Sequence, residues 1–310
     1  MRFSGFQAAL LIVILARNAA VADDVAKRAA NSSKKTVSAE TYQLHYKFHR
    51  GEEIRTKVAQ VASIETTIGG STQTTEMKSY STKLWRIIAV DESGAMTLEN
   101  LVENVDLRNQ MSGRQEVRYN SQTDSAAPLG YEDVAKSIGK VLSVVTLSPT
   151  GEVLKREDKA KRPVADQSGN MLVPLLPKEP IPIGHVWSVP AEVNVAVDDS
   201  GVRAIKTRQR YELEQVENGV ATIAVETQIL TPTNDPKIRV QLIQRLSKGH
   251  IRFDIKAGRI LSQQTDLDER VLGFSGAESS MHYVARFTEE LLPTTGKTVA
   301  IGKTSKSTAK

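Results

Sequence analysis

The fold class is decided by the stretch YQLHYKF, residues 42–48, in which apolar and polar side chains alternate. Its apolar members, Tyr42, Leu44, Tyr46 and Phe48, are all spaced two residues apart. Neighbouring side chains of an extended chain point to opposite faces of a sheet, whereas a helix needs apolar residues three and four apart. The stretch therefore predicts a half-buried β-strand, and a mainly β protein if the pattern continues.

The same period of two recurs through most of the chain. It predicts further strands at residues 53–68, 72–90, 95–107, 114–120, 141–147, 153–156, 202–217, 220–231, 251–255, 260–265 and 279–291. In the last of these, one face carries Met281, Tyr283, Ala285, Phe287 and Leu291. Gly69-Gly70 and Asn218-Gly219 predict tight hairpin turns between strands.

Two short helices interrupt the strands. Residues 131–138 place four residues on one stripe, namely Tyr131, Val134, Ala135 and Ile138. Residues 236–248 follow an N-cap candidate, Asp235, and a proline at the first helical position, and their apolar stripe consists of Ile238, Leu242, Ile243 and Leu246. Gly139 and Gly249 follow the two helices and predict their ends.

The order of elements indicates an internal duplication. In both parts of the chain a helix is followed by a glycine, a strand, a turn with a second glycine (Gly151 and Gly258) and another strand. We therefore predict two similar antiparallel β-meander halves, each with one short helix packed on a curled sheet. The first repeat spans 41–157 and the second 184–292, and a proline-rich connector, 158–183, joins them.

The two ends of the chain predict export. Arg2 precedes a nine-residue apolar run, Ala8–Ala16, which is half of what a membrane-spanning helix requires. Ala20 and Ala22 then provide the small residues that a signal peptidase recognises. We expect a signal peptide over 1–22, a flexible leader over 23–40, a disordered basic tail over 293–310, a location in the periplasm or cell envelope, and no membrane span after cleavage.

Charge and cysteine content exclude several classes of protein. Of the formal net charge of +5, the signal peptide carries +2, the leader +1 and the tail +4, which leaves −2 for residues 41–296. A nucleic-acid-binding domain needs a basic surface on its folded part, so we expect no nucleic-acid partner. The chain has no cysteine, which excludes disulfides, thiol catalysis and thiolate metal sites.

A search for catalytic and metal-binding patterns assigns no catalytic, cofactor-binding or metal-ligating residue. His45 and His49 would share a metal on a helix, but on a strand their spacing separates them by about 13 Å. We therefore expect two solvent-facing histidines, and no cofactor.

Three functions stay open. The first is a non-catalytic envelope protein that binds an unknown partner or ligand through its sheets. The second is a periplasmic carrier of an apolar small molecule, held in a cavity between curled sheet and helix, although the helices could fill that space as ordinary core. The third is a hydrolase that uses carboxylates brought together by folding, with candidates Glu99, Glu103, Asp106, Glu226 and Asp254.

Four short motifs also resemble a known family. They are Tyr42-x-Leu44-x-Tyr46-Lys47-Phe48-x-x-Gly51-Glu52, Tyr119-Asn120-Ser121, Leu147-Ser148-Pro149-x-Gly151-x-Val153 and Pro182-x-Gly184-x-x-Trp187. Through them the chain resembles, over most of residues 41–292, a family of exported planctomycete proteins that is catalogued as a domain of unknown function. The resemblance implies an exported β protein and carries no activity with it.

Overall fold

The structure, a computed structural model, describes residues 40–160, 173–197 and 201–293. The predicted mainly β class is confirmed, because strands dominate this part of the chain and its α-helices are two short ones. The proposed signal peptide with Ala20 and Ala22, the leader before Glu40 and the tail after Pro293 lie outside the described residues. No helix in the described ranges has the length and apolar character that crossing a membrane requires.

The strands and helices are numbered in chain order. The strands are β1 (Thr41–Tyr42), β2 (Glu53–Ile68), β3 (Ser71–Val90), β4 (Met96–Met111), β5 (Val117–Asn120), β6 (Val141–Leu147), β7 (Val153–Asp158), β8 (Ile181–Pro182), β9 (Val186–Val197), β10 (Gly201–Glu217), β11 (Val220–Ile229), β12 (Lys248–Asp254), β13 (Arg259–Leu272) and β14 (Ser280–Leu291). The helices are α1 (Glu132–Ser137) and α2 (Pro236–Leu242), and a 3₁₀ turn, Ile243–Arg245, follows α2.

Twelve of the strands form one antiparallel sheet. Its order is β7-β6-β4-β3-β2-β14-β13-β12-β11-β10-β9, and β5 pairs with β4 beside this path. Most neighbours in the sheet are also neighbours in sequence, as in a meander. The exceptions are β4 and β6, which β5 separates in sequence, and the centre, where β2 pairs with β14, so that an early and a late part of the chain meet.

Two of the predicted hairpin turns have the backbone conformation that their residues favour. Gly69 and Gly70 both have positive φ, 56° and 76°, and Ile68 pairs with Ser71 across them. Asn218 and Gly219 adopt φ of 51° and 78° between β10 and β11. Two successive residues with positive φ define the type I′ turn, whose twist matches that of the flanking strands.

The sheet curls around α2. Ile238 and Leu242 of this helix pack with Val195 of β9 and Ile205 of β10, at one end of the sheet. Ile243, in the following 3₁₀ turn, packs with residues from the centre of the sheet, namely Ala62, Leu267 and Tyr283. Strands that lie far apart in the sheet order therefore contact one short helical segment, which requires a curled sheet.

The predicted helices differ from the observed ones in length and burial. The helix predicted over 236–248 ends at Leu242, and Gly249 lies inside β12 instead of terminating the helix. The side chain of Asp235 accepts a hydrogen bond from Lys237 N at 2.9 Å, so the predicted N-cap is confirmed. Helix α1 buries no residue fully, because its apolar stripe is only half covered.

Residues 43–49, here called the crossing segment, run across the inner face of the sheet. Tyr46 N donates to Pro149 O at 2.8 Å, in the β6–β7 turn, and Lys47 N donates to Gly258 O at 2.9 Å, in the β12–β13 turn. The predicted strand over 42–48 is therefore wrong, since β1 ends at Tyr42 and the crossing segment belongs to no strand ladder. The alternation itself is real, because Leu44, Tyr46 and Phe48 are 1%, 3% and 6% exposed.

Residues 173–183, here called the connector segment, lie beside the crossing segment. Val173, Leu176 and Ile181 are buried in the same core cluster as Tyr46. Leu176 N donates to Thr150 O at 2.9 Å, and β8 pairs with β1. The two segments together cover the part of the inner face that carries this core cluster.

Both edges of the sheet are protected against pairing with a further strand. On β9, the side chain of Gln241 accepts from Ala196 N and donates to Ala196 O, each at 2.9 Å. Ala196 therefore points its backbone groups outward, and by alternation so does Pro190, which has no N–H to offer. The other edge strand, β7, is short and ends in the charged run Lys155–Asp158. Such features prevent the addition of a strand from another chain.

Candidate functional site

A partly enclosed cavity of about 90 Å³, here called the central cavity, lies between the middle of the sheet and the two covering segments. It is lined by Tyr46, Phe48, Ile54, Thr56, Lys83, Trp85, Asn100, Val173, Pro174, Arg259, Ile260, Gln263, Glu289 and Leu291. An engineered apolar cavity of about 150 Å³ binds benzene, so this one has room for a few water molecules or for a ligand group smaller than benzene.

Aromatic and aliphatic side chains form most of the wall. The rings of Phe48 and Trp85 meet edge to face, with centroids 6.3 Å apart, and the Tyr46 and Phe253 rings meet in the same way at 5.5 Å. Edge-to-face pairs are favourable because the positive edge of one ring meets the negative face of the other. Through these contacts the crossing segment packs over the cavity.

The Tyr46 hydroxyl anchors this cover to the connector segment. It donates to Pro174 O at 3.0 Å. Burial, followed by the proximity of Tyr211 and Glu289, raises the pKa of Tyr46 well above its usual value of 10.0. The hydroxyl therefore remains protonated, and able to donate, even in mildly alkaline solution.

Glu289 is the carboxylate of the central cavity, and its side chain is only 13% exposed. Thr56 Oγ1 donates to Glu289 Oε1 at 2.7 Å, and Gln263 Nε2 donates to Glu289 Oε2 at 2.8 Å. Lys83 Nζ lies 3.9 Å from the second oxygen. A buried carboxylate is costly unless it is hydrogen-bonded and paired, and these three neighbours supply the hydrogen bonds and the pairing.

Two cations line the cavity. Arg259 is already engaged, since its Nη1 donates to Glu52 Oε1 at 2.6 Å and its guanidinium lies 5.9 Å from the Phe48 ring centroid. Lys83 is less engaged. Its ammonium lies 6.0 Å from the Phe287 ring centroid and 3.9 Å from Glu289, but it makes no hydrogen bond to any described residue. The cavity thus contains a cation with unused donors beside a satisfied carboxylate.

The two histidines considered as metal ligands do not form a site. The Gln43 amide donates to His45 Nε2 at 2.9 Å, whereas His49 lies 3.6 Å from Glu52 and is 84% exposed. In the ranges that the structure covers, no three side chains of histidine, aspartate or glutamate are grouped to hold a metal ion.

The five acidic residues considered for hydrolysis all lie outside the lining of the central cavity. Glu99 and Glu103 accept from Arg86 at 2.8 Å and from Arg55 at 3.0 Å. The other three are also engaged. Asp106 pairs with Arg108, Glu226 accepts from Gln228, and Asp254 accepts from Ala257 N.

Glu289, Lys83 and Thr56 are not among the residues predicted from the sequence, although the sequence contains a signal for them. Residue 289 falls in phase with the inward-facing series 281, 283, 285, 287 and 291 on β14. Lys83 is in phase with Trp85 on β3, and Thr56 with Ile54 on β2. Polar residues at inward positions of three neighbouring strands therefore mark the cavity, once the register between the strands is known.

A wider groove of about 670 Å³ crosses the outer face over β3, β2, β14 and β13. Its charged groups are paired with one another. Arg286 Nε donates to Asp266 Oδ1 at 2.6 Å and lowers the pKa of that carboxyl, and Lys78 lies 3.7 Å from Glu76. The groove is therefore an ordinary solvated sheet surface, and the central cavity is the better candidate site.

Comparison with known proteins gives structural matches of low TM-score. No protein-family model matches the chain, and no curated protein is significantly similar to it in sequence. A solved structure of lipovitellin, described by its lipid–protein interactions, gives a TM-score of 0.45 at 11% identity and covers 80% of this chain. This chain spans only 26% of the lipovitellin chain. DynF, from the dynemicin biosynthesis pathway of Micromonospora chersina, gives a TM-score of 0.21 at 6% identity and covers 82% of this chain and 86% of its own.

Proposed function

We propose that this protein is an exported binding protein of the cell envelope that holds a small amphiphilic ligand in the central cavity. The observation that carries the proposal is the composition of the cavity wall. Polar side chains converge at inward positions of strands whose other inward residues are apolar. Ligand sites have this composition, because apolar walls supply affinity and a few placed polar groups supply orientation.

Ligand binding in the cavity is favoured over binding of a protein partner through the sheet edges. Strand addition needs a free edge, and here Pro190 and the Gln241 amide occupy one edge while charged residues occupy the other. Helix α2 fills the opposite end of the curled sheet as ordinary core. The space left over lies under the crossing segment, where Tyr46 and Phe48 cover it.

The two tryptophans provide the test of this proposal. Trp85 lines the cavity, whereas Trp187 stacks on Tyr211 with ring centroids 5.3 Å apart and donates to Leu175 O. In Trp187→Phe, titration with octan-1-ol should shift the remaining tryptophan fluorescence until saturation. In the matched variant Trp85→Phe, the fluorescence of Trp187 should stay unchanged.

Native mass spectrometry of the protein purified from its own cells should show a bound species in addition to the mature chain. A bare chain, together with an unresponsive Trp85, would contradict the proposal. Circular dichroism of both variants controls for loss of the sheet.

The exported location is supported by the signal-peptide pattern of residues 1–22. The resemblance to exported planctomycete proteins also supports it, and that resemblance stays a prediction. Cleavage after Ala22 should leave Asp23 as the first residue of the mature protein. N-terminal sequencing of the cell-envelope fraction checks this, and a chain that still begins at Met1 would contradict it.

We also propose that the fold consists of two similar halves. The support is the order of elements. In the first half β2, β3 and β4 are followed, after the additional short strand β5, by α1 and then by β6 and β7. In the second half β9, β10 and β11 are followed by α2 and then by β12 and β13. Within each half these five strands are neighbours in the same order. The central cavity lies near the junction of the halves, where β14 joins β13 to β2.

A further inference from the structure

The polar groups of the central cavity differ in how much hydrogen-bonding capacity they have left. Both oxygens of Glu289 already accept a hydrogen bond, one from Thr56 and one from Gln263. Arg259 donates to Glu52 and, at 3.4 Å, to Ala257 O. The carboxylate of Glu289 and the guanidinium of Arg259 therefore already have hydrogen-bond partners within the chain.

The groups of the cavity wall with unused donors lie on β3 and β4. Lys83 has no hydrogen-bond partner in the described part of the chain, and the same holds for the side-chain amide of Asn100. Asn100 pairs with Trp85 on one side and with Ser143 on the other.

This arrangement calls for a hydrogen-bond acceptor on the ligand. An ammonium offers three N–H donors and an amide offers two more. A charged acceptor gives the strongest hydrogen bonds to an ammonium. Glu289 would repel a ligand carboxylate and attract a ligand ammonium, but both of its oxygens already accept hydrogen bonds, whereas Lys83 and Asn100 have donors to spare.

We infer, on the basis of the proposed function, that the ligand is an amphiphile with a carboxylate head, which binds Lys83 and Asn100. Its apolar chain lies along Phe48, Trp85 and Leu291. The enclosed volume of about 90 Å³ accommodates the head and the first carbons, and a longer chain continues toward the opening of the cavity.

Three probes of equal chain length test the charge of the head: octanoate, octan-1-ol and octylammonium. Calorimetric titration at pH 7 should give an affinity for octanoate about tenfold higher than for octan-1-ol, the difference that one charge-assisted hydrogen bond provides. Octylammonium should bind more weakly than either.

Substitutions in β3 test whether Lys83 causes the preference for octanoate. Lys83→Met should abolish the preference for octanoate over octan-1-ol, and Lys83→Arg should retain it because the cation is kept. The matched control is Lys78→Met, on the same strand but the opposite face, where Lys78 is 45% exposed and pairs with Glu76. This control should retain the full preference.

The outcomes separate the two proposals. Equal affinities for octanoate and octan-1-ol, or a preference that survives Lys83→Met, would overturn the carboxylate head but leave a ligand-binding cavity. If octan-1-ol also fails to shift the fluorescence of Trp85, both the carboxylate head and the binding function are wrong.

Discussion

Gly249→Ala is expected to lower the free energy of unfolding by about 3 kcal/mol or more, the upper end of the cost of overpacking. A Cβ at residue 249 would lie 1.9 Å from Gln264 O and 2.7 Å from Thr265 Cα, both on the backbone of β13. No side-chain rotation can relieve a contact with the backbone of a neighbouring strand. The methyl group would therefore force β12 and β13 apart, where Gly249 pairs with Thr265.

Urea denaturation followed by far-UV circular dichroism measures this effect. The matched control is Gly70→Ala, in the β2–β3 turn, where a Cβ would meet nothing within 4 Å and only the φ of +76° is unfavourable. We expect this control to cost about 1 kcal/mol, the price of a left-handed conformation. Equal stability losses for the two variants would contradict the close approach of β12 and β13.

Tyr46→Ala is expected to be the second severe substitution, with a loss of about 3–5 kcal/mol, as is typical for an aromatic residue removed from a core. Tyr46 is 3% exposed, packs edge to face on Phe253 and donates to Pro174 O. Its removal would loosen the crossing segment at the point where that segment covers the central cavity. Thermal unfolding and urea denaturation both measure the loss.

Tyr46→Ala should also gain a binding site for apolar molecules. Because Tyr46 lines the central cavity, its truncation enlarges the enclosed space enough to admit an aromatic ring. Benzene should therefore raise the melting temperature of Tyr46→Ala but not that of the wild type.

Tyr46→Phe serves as the control, since it keeps the ring and loses only the hydroxyl that donates to Pro174 O, at an expected cost of about 1–3 kcal/mol. If benzene stabilised Tyr46→Phe and Tyr46→Ala to the same degree, Tyr46 would not be part of the cavity wall.

The sequence predicts most strands because their signals are local. The alternation of apolar and polar residues, and turn pairs such as Gly69-Gly70, can each be recognised within a few neighbouring positions. The predicted strand over 53–68 accordingly coincides with β2. Strand β9 is not among the predicted strands, and Pro190 lies within it. A proline is compatible with an edge strand, where its nitrogen faces outward and no ladder hydrogen bond is lost.

Other features depend on partners that are distant in sequence. Alternation in residues 42–48 indicates which side chains are buried. It cannot reveal that the backbone of this stretch forms hydrogen bonds with two hairpin turns instead of with a neighbouring strand. The position of Gly249 in β12 depends on its distance to β13, which no local pattern encodes. The cavity depends on the register of β2, β3, β13 and β14, so its polar residues could not be grouped from the sequence.

The pairing of β2 with β14 has a consequence for how the chain reaches its native state. Thr56 and Glu289, which are hydrogen-bonded across this pair, are 233 residues apart. Contacts of such large sequence separation form late, because closing a long loop costs entropy before any contact compensates for it. A chain emerging from the ribosome therefore cannot complete its central sheet until β14 has been synthesised. For the exported protein that we propose, this delay would leave the sheet incomplete, and the chain easier to thread through a translocation channel, until the end of its synthesis.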